Sequence, residues 1–136
     1  MTTGPEFLSP KALMPPVGYS HIAKSGGRPL AYIAGQVSCD ASGKLVGEGD
    51  FRAQVEQVFA NLKVAIEAAG GAMSGLIKLN YYCVDSVDPK EQVAIRDVRD
   101  RYVNVAQPPA STFVVVSRLA RPGWLVEIEA VVALGA

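Results

Sequence analysis

Leu125-Val126-Glu127-Ile128-Glu129-Ala130-Val131-Val132-Ala133-Leu134, near the end of the chain, is the stretch whose reading decides the fold. Side chains alternate across a β-strand. Val126, Ile128 and Val132 therefore take one face and Leu125 and Val131 the other, a strand apolar on both sides. Glu127 and Glu129 share the second face. A buried charge is costly unless it is paired or hydrogen-bonded, so these two carboxylates face water, another subunit or a cleft.

Working back from this strand, Arg121-Pro122-Gly123 reads as a turn and Ser111 to Ser117 as another strand. Pro108-Pro109 forbids helix just before it. Asp88-Pro89-Lys90-Glu91 is a helix start: Asp88 caps, Pro89 suits the first helical position, and Glu91 stands three residues after the cap as in a capping box. This helix is expected to run to about Tyr102, with Ile95, Val98 and Tyr102 on one face. Arg96–Asp100 and Asp97–Arg101 have (i, i+4) spacing, worth ~0.3 kcal/mol each if exposed. Gly75 to Val84 reads as a strand, with Tyr81 and Tyr82 favouring that state. A longer helix starts at Asp50, a plausible N-cap. Its apolar stripe is Val55, Val58, Phe59, Leu62 and Ile66, and Gly70-Gly71 stops it. Tyr19 to Ala23 and Leu30 to Val37 flank a Ser25-Gly26-Gly27 turn and predict a hairpin. Residues 1–18, with Pro5, Pro10, Pro15 and Pro16, read as an irregular lead-in.

The predicted order is ββ-α-β-α-ββ. That pattern gives an α+β fold with a mixed sheet and both helices on one face. The other sheet face is apolar too, and no further helix or strand layer remains to cover it. An oligomer is expected to bury it.

The 136 residues suit one domain spanning 1–136. At 49% apolar residues the chain can build a real core. Thirteen basic and thirteen acidic residues cancel. With no Lys/Arg run, the cationic footprint of nucleic-acid binding is missing. No apolar run reaches the roughly 20 residues that span a bilayer, and Met1-Thr2-Thr3-Gly4-Pro5-Glu6 lacks the basic and apolar regions of a secretion signal. Neither membrane attachment nor a nucleic-acid partner is expected. The cytoplasm is the expected compartment, with Cys39 and Cys83 as reduced thiols.

A metal site is not expected: His21 is the one histidine and the cysteines are isolated, so no zinc spacing exists. Ser20 and His21 are neighbours that a strand would point to opposite faces, and no Gly-x-Ser-x-Gly elbow or P-loop occurs. What remains is a dispersed set. Val17-Gly18-Tyr19-Ser20, Ile33-Ala34-Gly35-Gln36, Asn61-Leu62-Lys63 before Glu67-Ala68-Ala69-Gly70, Pro109-Ala110-Ser111-Thr112 and Val126-Glu127-Ile128-Glu129-Ala130 resemble, in order and spacing, the Rid family (YjgF/YER057c/UK114). The resemblance covers the chain from about residue 15.

That resemblance implies a chorismate-mutase-like α+β fold and a homotrimer whose three sheets form a central barrel, with ligand clefts between subunits. Its best-known members hydrolyse 2-imino or enamine acids of the 2-iminobutanoate type to 2-oxo acids and ammonia without a cofactor. The family's tyrosine falls on Tyr19, its strand-end glycine on Gly35 and its water-orienting glutamate on Glu127. Thr112 holds a position that is usually cysteine or threonine. The departures are Ala34 for a cleft serine, Arg96 at a position often held by asparagine, and Ala110 where deaminating members carry an arginine. That arginine grips the substrate carboxylate in a bidentate pair, which a methyl group cannot imitate. The sequence thus expects Glu127 and Tyr19 as catalytic groups. Gly35, Arg96, Ala110 and Thr112 are expected to line a cleft for a small carboxylate, with Arg96 either replacing the lost arginine or pairing with Asp100. A binding or regulatory protein without turnover is the alternative, and an endoribonuclease a weaker one.

Overall fold

In the computed structural model, which describes residues 4–135, an eighteen-residue helix carries the core. Helix α1 (Phe51–Ala68) starts as the sequence indicates: the Asp50 carboxylate accepts from the Ala53 N–H at 3.1 Å. Val55, Val58, Phe59, Leu62 and Ile66 are all fully buried. Burial of each contributes on the order of 1.5–3 kcal/mol relative to exposure. The helix ends in a Schellman motif, in which Gly71 N–H reaches the Ile66 carbonyl and Gly70 N–H that of Glu67, both at 3.0 Å. Gly70 adopts the left-handed φ of 86° that the motif requires.

The remaining elements are strands β1 (Glu6–Leu8), β2 (Ile22–Lys24), β3 (Leu30–Gln36), β4 (Leu76–Val84), β5 (Ala110–Val116) and β6 (Val126–Ala133), and helix α2 (Val93–Arg99). The main sheet has the order β3-β6-β4-β5. β6 runs antiparallel to both neighbours, while β4 and β5 are parallel, so the sheet is mixed. As β6 is central, its residues Val126, Ile128, Ala130 and Val132 are buried under the helices, with Leu79, Tyr81 and Cys83 of β4 beside them. The opposite face carries Glu127, Glu129 and Val131 on β6, Tyr32 on β3, and Asn80 and Tyr82 on β4. No element among the described residues covers it, and Tyr32 is 77% exposed.

The N-terminal third departs from expectation. The hairpin between residues 19–23 and 30–37 does not form. β2 instead pairs antiparallel with β1, inside the stretch read as an irregular lead-in. The cause is where Ser20 is held. Its N–H donates to the Pro109 carbonyl at 3.1 Å and its hydroxyl to that of Pro108 at 2.6 Å, making a parallel bridge to Ala110. That holds the segment leading into β2 at the start of β5, the edge of the sheet far from β3. β3 pairs with β6, whose long apolar ladder offers more than a three-residue strand can.

α2 is preceded by a 3-10 turn (Pro89–Gln92) that Asp88 caps through the Lys90 N–H at 2.9 Å. It ends at Arg99, short of Tyr102, whose ring stacks on Phe59 at 5.7 Å. The expected Arg96–Asp100 and Asp97–Arg101 pairs do not form, because the helix stops before Asp100 and α1 lies alongside. Asp97 pairs with Arg52 at 2.9 Å, Arg101 with Glu56, and Asp100 with Arg99 at 2.8 Å.

Candidate functional site

β5 divides the expected site residues between two places. Register puts Ala110, Thr112 and Val114 beside Lys78, Asn80 and Tyr82, on the uncovered face. By alternation Ser111 and Phe113 point to the helix side, where they line a cavity with Tyr19, Tyr81, Arg96 and Arg99.

On the uncovered face, Glu127 and Gly35 meet. A Cβ on Gly35 would lie 2.8 Å from Glu127 Cδ and 2.9 Å from Cγ. The absent side chain is therefore what lets the carboxylate lie over β3. The β3–β6 register shifts between Ile33 and Gln36, so Gly35 sits in a bulge that presents its backbone. Burial, reinforced by the Glu129 charge, raises the Glu127 carboxyl above the ordinary range. Glu129 itself is held: it accepts from the Tyr82 hydroxyl, and Asn80 Nδ2 reaches it at 3.4 Å. That hydrogen bond pushes the Tyr82 phenol up, since ionisation would lose the donor and add a charge beside a carboxylate. Thr112 lies two residues further along β5 from Ala110, and its hydroxyl accepts from Lys78 Nζ at 3.1 Å.

On the helix side, the cavity has a volume of about 620 Å3. Tyr19 reaches it from the segment pinned by Ser20, and its ring meets His21 edge-on at 5.2 Å. Arg96 is exposed, and among the described residues its side chain makes no hydrogen bond or ion pair. Arg99 is the arginine the sequence reading overlooked. Its side chain is only 11% exposed, and both Nε and Nη2 donate to one Asp100 oxygen, at 2.9 and 2.8 Å. Its place three residues after Arg96 on one helix face is a signal the sequence does carry. Behind it, the Tyr81 hydroxyl is buried without a hydrogen-bond partner. Burial raises that phenol to about 12; the Arg99 guanidinium is near enough to oppose the rise, though not in hydrogen-bond geometry with it.

Tyr19 and Arg96 are thus brought together, and so are Gly35 and Glu127, with Ala110 and Thr112 on the same face as the second pair. Nothing among the described residues joins the two groups within one chain. No cluster of three or more His, Cys, Asp or Glu side chains suited to a metal occurs among those residues. No helix there is long and apolar enough to cross a membrane.

A two-layer α+β chain with a mixed sheet, an uncovered acidic face and a cavity behind its edge strand defines a known structural class. Residues 9–134 match the Endoribonuclease L-PSP family, and the chain belongs to that Rid/YjgF family. A RutC family protein of Pyrococcus horikoshii is 35% identical over 117 residues, 85% of this chain and 87% of its own. A 2-iminobutanoate/2-iminopropanoate deaminase of Dermatophagoides farinae is 30% identical over 134 residues, 93% of this chain and 99% of its own. The crystal structure of a Rid-family protein from Yersinia pestis superposes with a TM-score of 0.86 at 35% identity, covering 97% of this chain and 100% of that one.

Proposed function

We propose that this chain assembles as a homotrimer with a small-molecule site between subunits, and that this site hydrolyses an imine or enamine of a small carboxylic acid. The observation that carries the reading is the Glu127 carboxylate, laid on Gly35, half-buried and raised in pKa on a sheet face its own chain leaves bare. In the trimer, the Gly35–Glu127 face of one copy meets the Tyr19–Arg96 cavity of another. Packing three bare faces together also buries Tyr32 and Val131, and supplies the cover that one chain lacks.

The reaction balances without a redox partner. Water oxygen adds to the imine carbon, the carbon–nitrogen bond breaks, and ammonia leaves a 2-oxo acid. Glu127 takes the proton from the attacking water and returns it to the departing nitrogen. A carboxyl raised above its usual range is a better proton acceptor for that exchange than an ordinary one. Tyr19 orients the substrate from across the interface, and Gly35 keeps the backbone close. The deaminase among the relatives supports this choice of chemistry.

A second reading, binding without turnover, draws on Ala110. Neither it nor Thr112 offers a cation on the Glu127 face, and Lys78 is engaged with Thr112. Ribonuclease chemistry has less behind it, since basic and acidic residues balance and the one histidine contacts the Met14 carbonyl through Nε2 at 2.8 Å. Light scattering is expected to give about three times the 14.4 kDa chain mass. Ammonia release from 2-iminobutanoate is expected to be weak in the wild type, since Ala110 supplies no clamp for the carboxylate, and lost in Glu127→Gln with the trimer intact. A monomer sinks the interfacial site; a trimer that binds 2-oxobutanoate without turnover selects the second reading.

A further inference from the structure

We propose that the cavity behind β5 is the recognition half of the site, and that Arg96 and Arg99 together select a monocarboxylate with a bulky apolar or aromatic body. This rests on the small-molecule reading above and names the ligand class. The charge balance comes first. Arg96 and Arg99 line one cavity, and Asp100 cancels one of the two guanidinium charges. On the chain's own wall of the cavity one positive charge remains, which matches one carboxylate.

Arg99 is built in rather than placed on the surface. At 11% exposure its side chain is largely desolvated. Gly18, at a left-handed φ of 75°, closes against it: a Cβ there would lie 3.0 Å from Nη2. Asp100 occupies two of the five guanidinium N–H groups. The others remain to donate in a low-dielectric setting, where an anion is held more strongly than in water. The Tyr81 hydroxyl, buried in the same wall, has no hydrogen-bond partner.

The body of the ligand follows from the rest of the lining. Tyr19, Tyr81 and Phe113 supply rings, and Val17, Val93 and Ile95 supply aliphatic surface. Ser111 and Gln92 are the uncharged polar side chains apart from the two phenols. A volume of about 620 Å3 lies within the range of drug-sized sites. An acid of three or four carbons would reach the arginines and leave the rings without a ligand contact.

The test is calorimetric titration of the full chain with phenylpyruvate, pyruvate and 2-phenylethanol. Phenylpyruvate should bind at least about tenfold more tightly than either of the others, since it alone carries both the carboxylate and the ring. Arg96→Gln, and the charge-neutral pair Arg99→Gln/Asp100→Asn, should each weaken phenylpyruvate about tenfold or more and leave 2-phenylethanol unchanged. Should the double variant misfold, Ser111→Phe fills the cavity without touching a charge and should abolish phenylpyruvate binding. Equal affinity for pyruvate and phenylpyruvate, or for the acid and the alcohol, overturns the inference, as does unchanged affinity in the arginine or Ser111 variants. Failure of the catalytic reading looks different: phenylpyruvate binds with this selectivity while ammonia release is absent. A trimer that turns over 2-iminobutanoate but shows no ring preference leaves that reading standing and removes this inference alone.

Discussion

Gly35→Ala separates the position of Glu127 from the stability of the fold. An added Cβ would sit 2.8 Å from Glu127 Cδ, whereas carbons in ordinary contact stand about 3.5–4.0 Å apart. Something must give by roughly 0.7 Å or more. The neighbour is the outer part of a flexible side chain, so Glu127 swings away rather than the sheet opening. Leaving its well costs about 0.5–1.5 kcal/mol. Replacing a strand glycine by alanine returns about 0.5–1 kcal/mol of backbone entropy. The two nearly cancel, so urea denaturation should show a change within ~1 kcal/mol. The carboxylate meanwhile leaves the surroundings that raise its pKa. A carbon-detected NMR titration should find the Glu127 carboxyl closer to its ordinary value in the variant. If Glu127 works as proposed, a displacement of about 1 Å should cost on the order of 100-fold in imine hydrolysis. An unmoved Glu127 titration, or a loss of more than ~2 kcal/mol, would show that Gly35 serves the backbone and not the carboxylate.

Three further outcomes follow from the same geometry. Glu127 has a folded pKa above its ordinary 4.5, so the fold holds its proton more firmly and stability declines as pH rises from that value through the raised one; Glu127→Gln should match the wild-type melting temperature below pH 4 and exceed it at neutral pH, and identical curves at both would refute the shift. Gln54 is fully buried and donates to the Gly47 and Gly123 carbonyls at 3.1 and 2.9 Å while accepting from Leu125 N–H at 2.9 Å. Gln54→Leu strands those groups at about 1–3 kcal/mol each if they stay dry, so a urea-measured loss under ~1 kcal/mol would contradict the assignment. Ala110→Arg places a guanidinium on the Thr112 face, and on the proposed chemistry should raise ammonia release from 2-iminobutanoate at least about tenfold; an unchanged rate would show that this position does not face the substrate.

The sequence carried the helices and central strands because their signals are local. The Asp50 cap, the Val55–Ile66 stripe and the Gly70-Gly71 stop sit within one element, and β6 reads from its own alternation. The misread hairpin shows the limit. Ser25-Gly26-Gly27 is a sound turn signal, but the Ser20 bonds to Pro108 and Pro109, 88 residues or more away, hold the segment leading into β2 at the β5 end of the sheet, away from β3. Ion pairs failed for the same reason. Asp97 and Arg101 had good partners by spacing, yet Arg52 and Glu56 of α1 take them once the helices pack. For the site, Gly35 and Glu127 were legible as motif residues, but their contact depends on the β3–β6 register. Arg99 shares a helix face with Arg96 by spacing, but its desolvation behind Gly18 depends on the packed structure.

On the proposed assembly, β5 explains why one chain would be only part of the site. It is an edge strand, and alternation sends Ser111 and Phe113 to the cavity and Ala110 and Thr112 to the bare face. One strand thus contributes to two different surfaces, and no rotation of a side chain brings Tyr19 round to Glu127 of its own sheet. On the proposed assembly a second copy completes the site and covers the bare face, Tyr32 and Val131 included. Assembly and chemistry are then linked by mass action, because anything that binds only the assembled state stabilises it. A ligand bridging the cavity of one copy and the Glu127 face of the next would tighten the oligomer. Dilution would remove function before it unfolds a chain whose helix-side core is complete by itself.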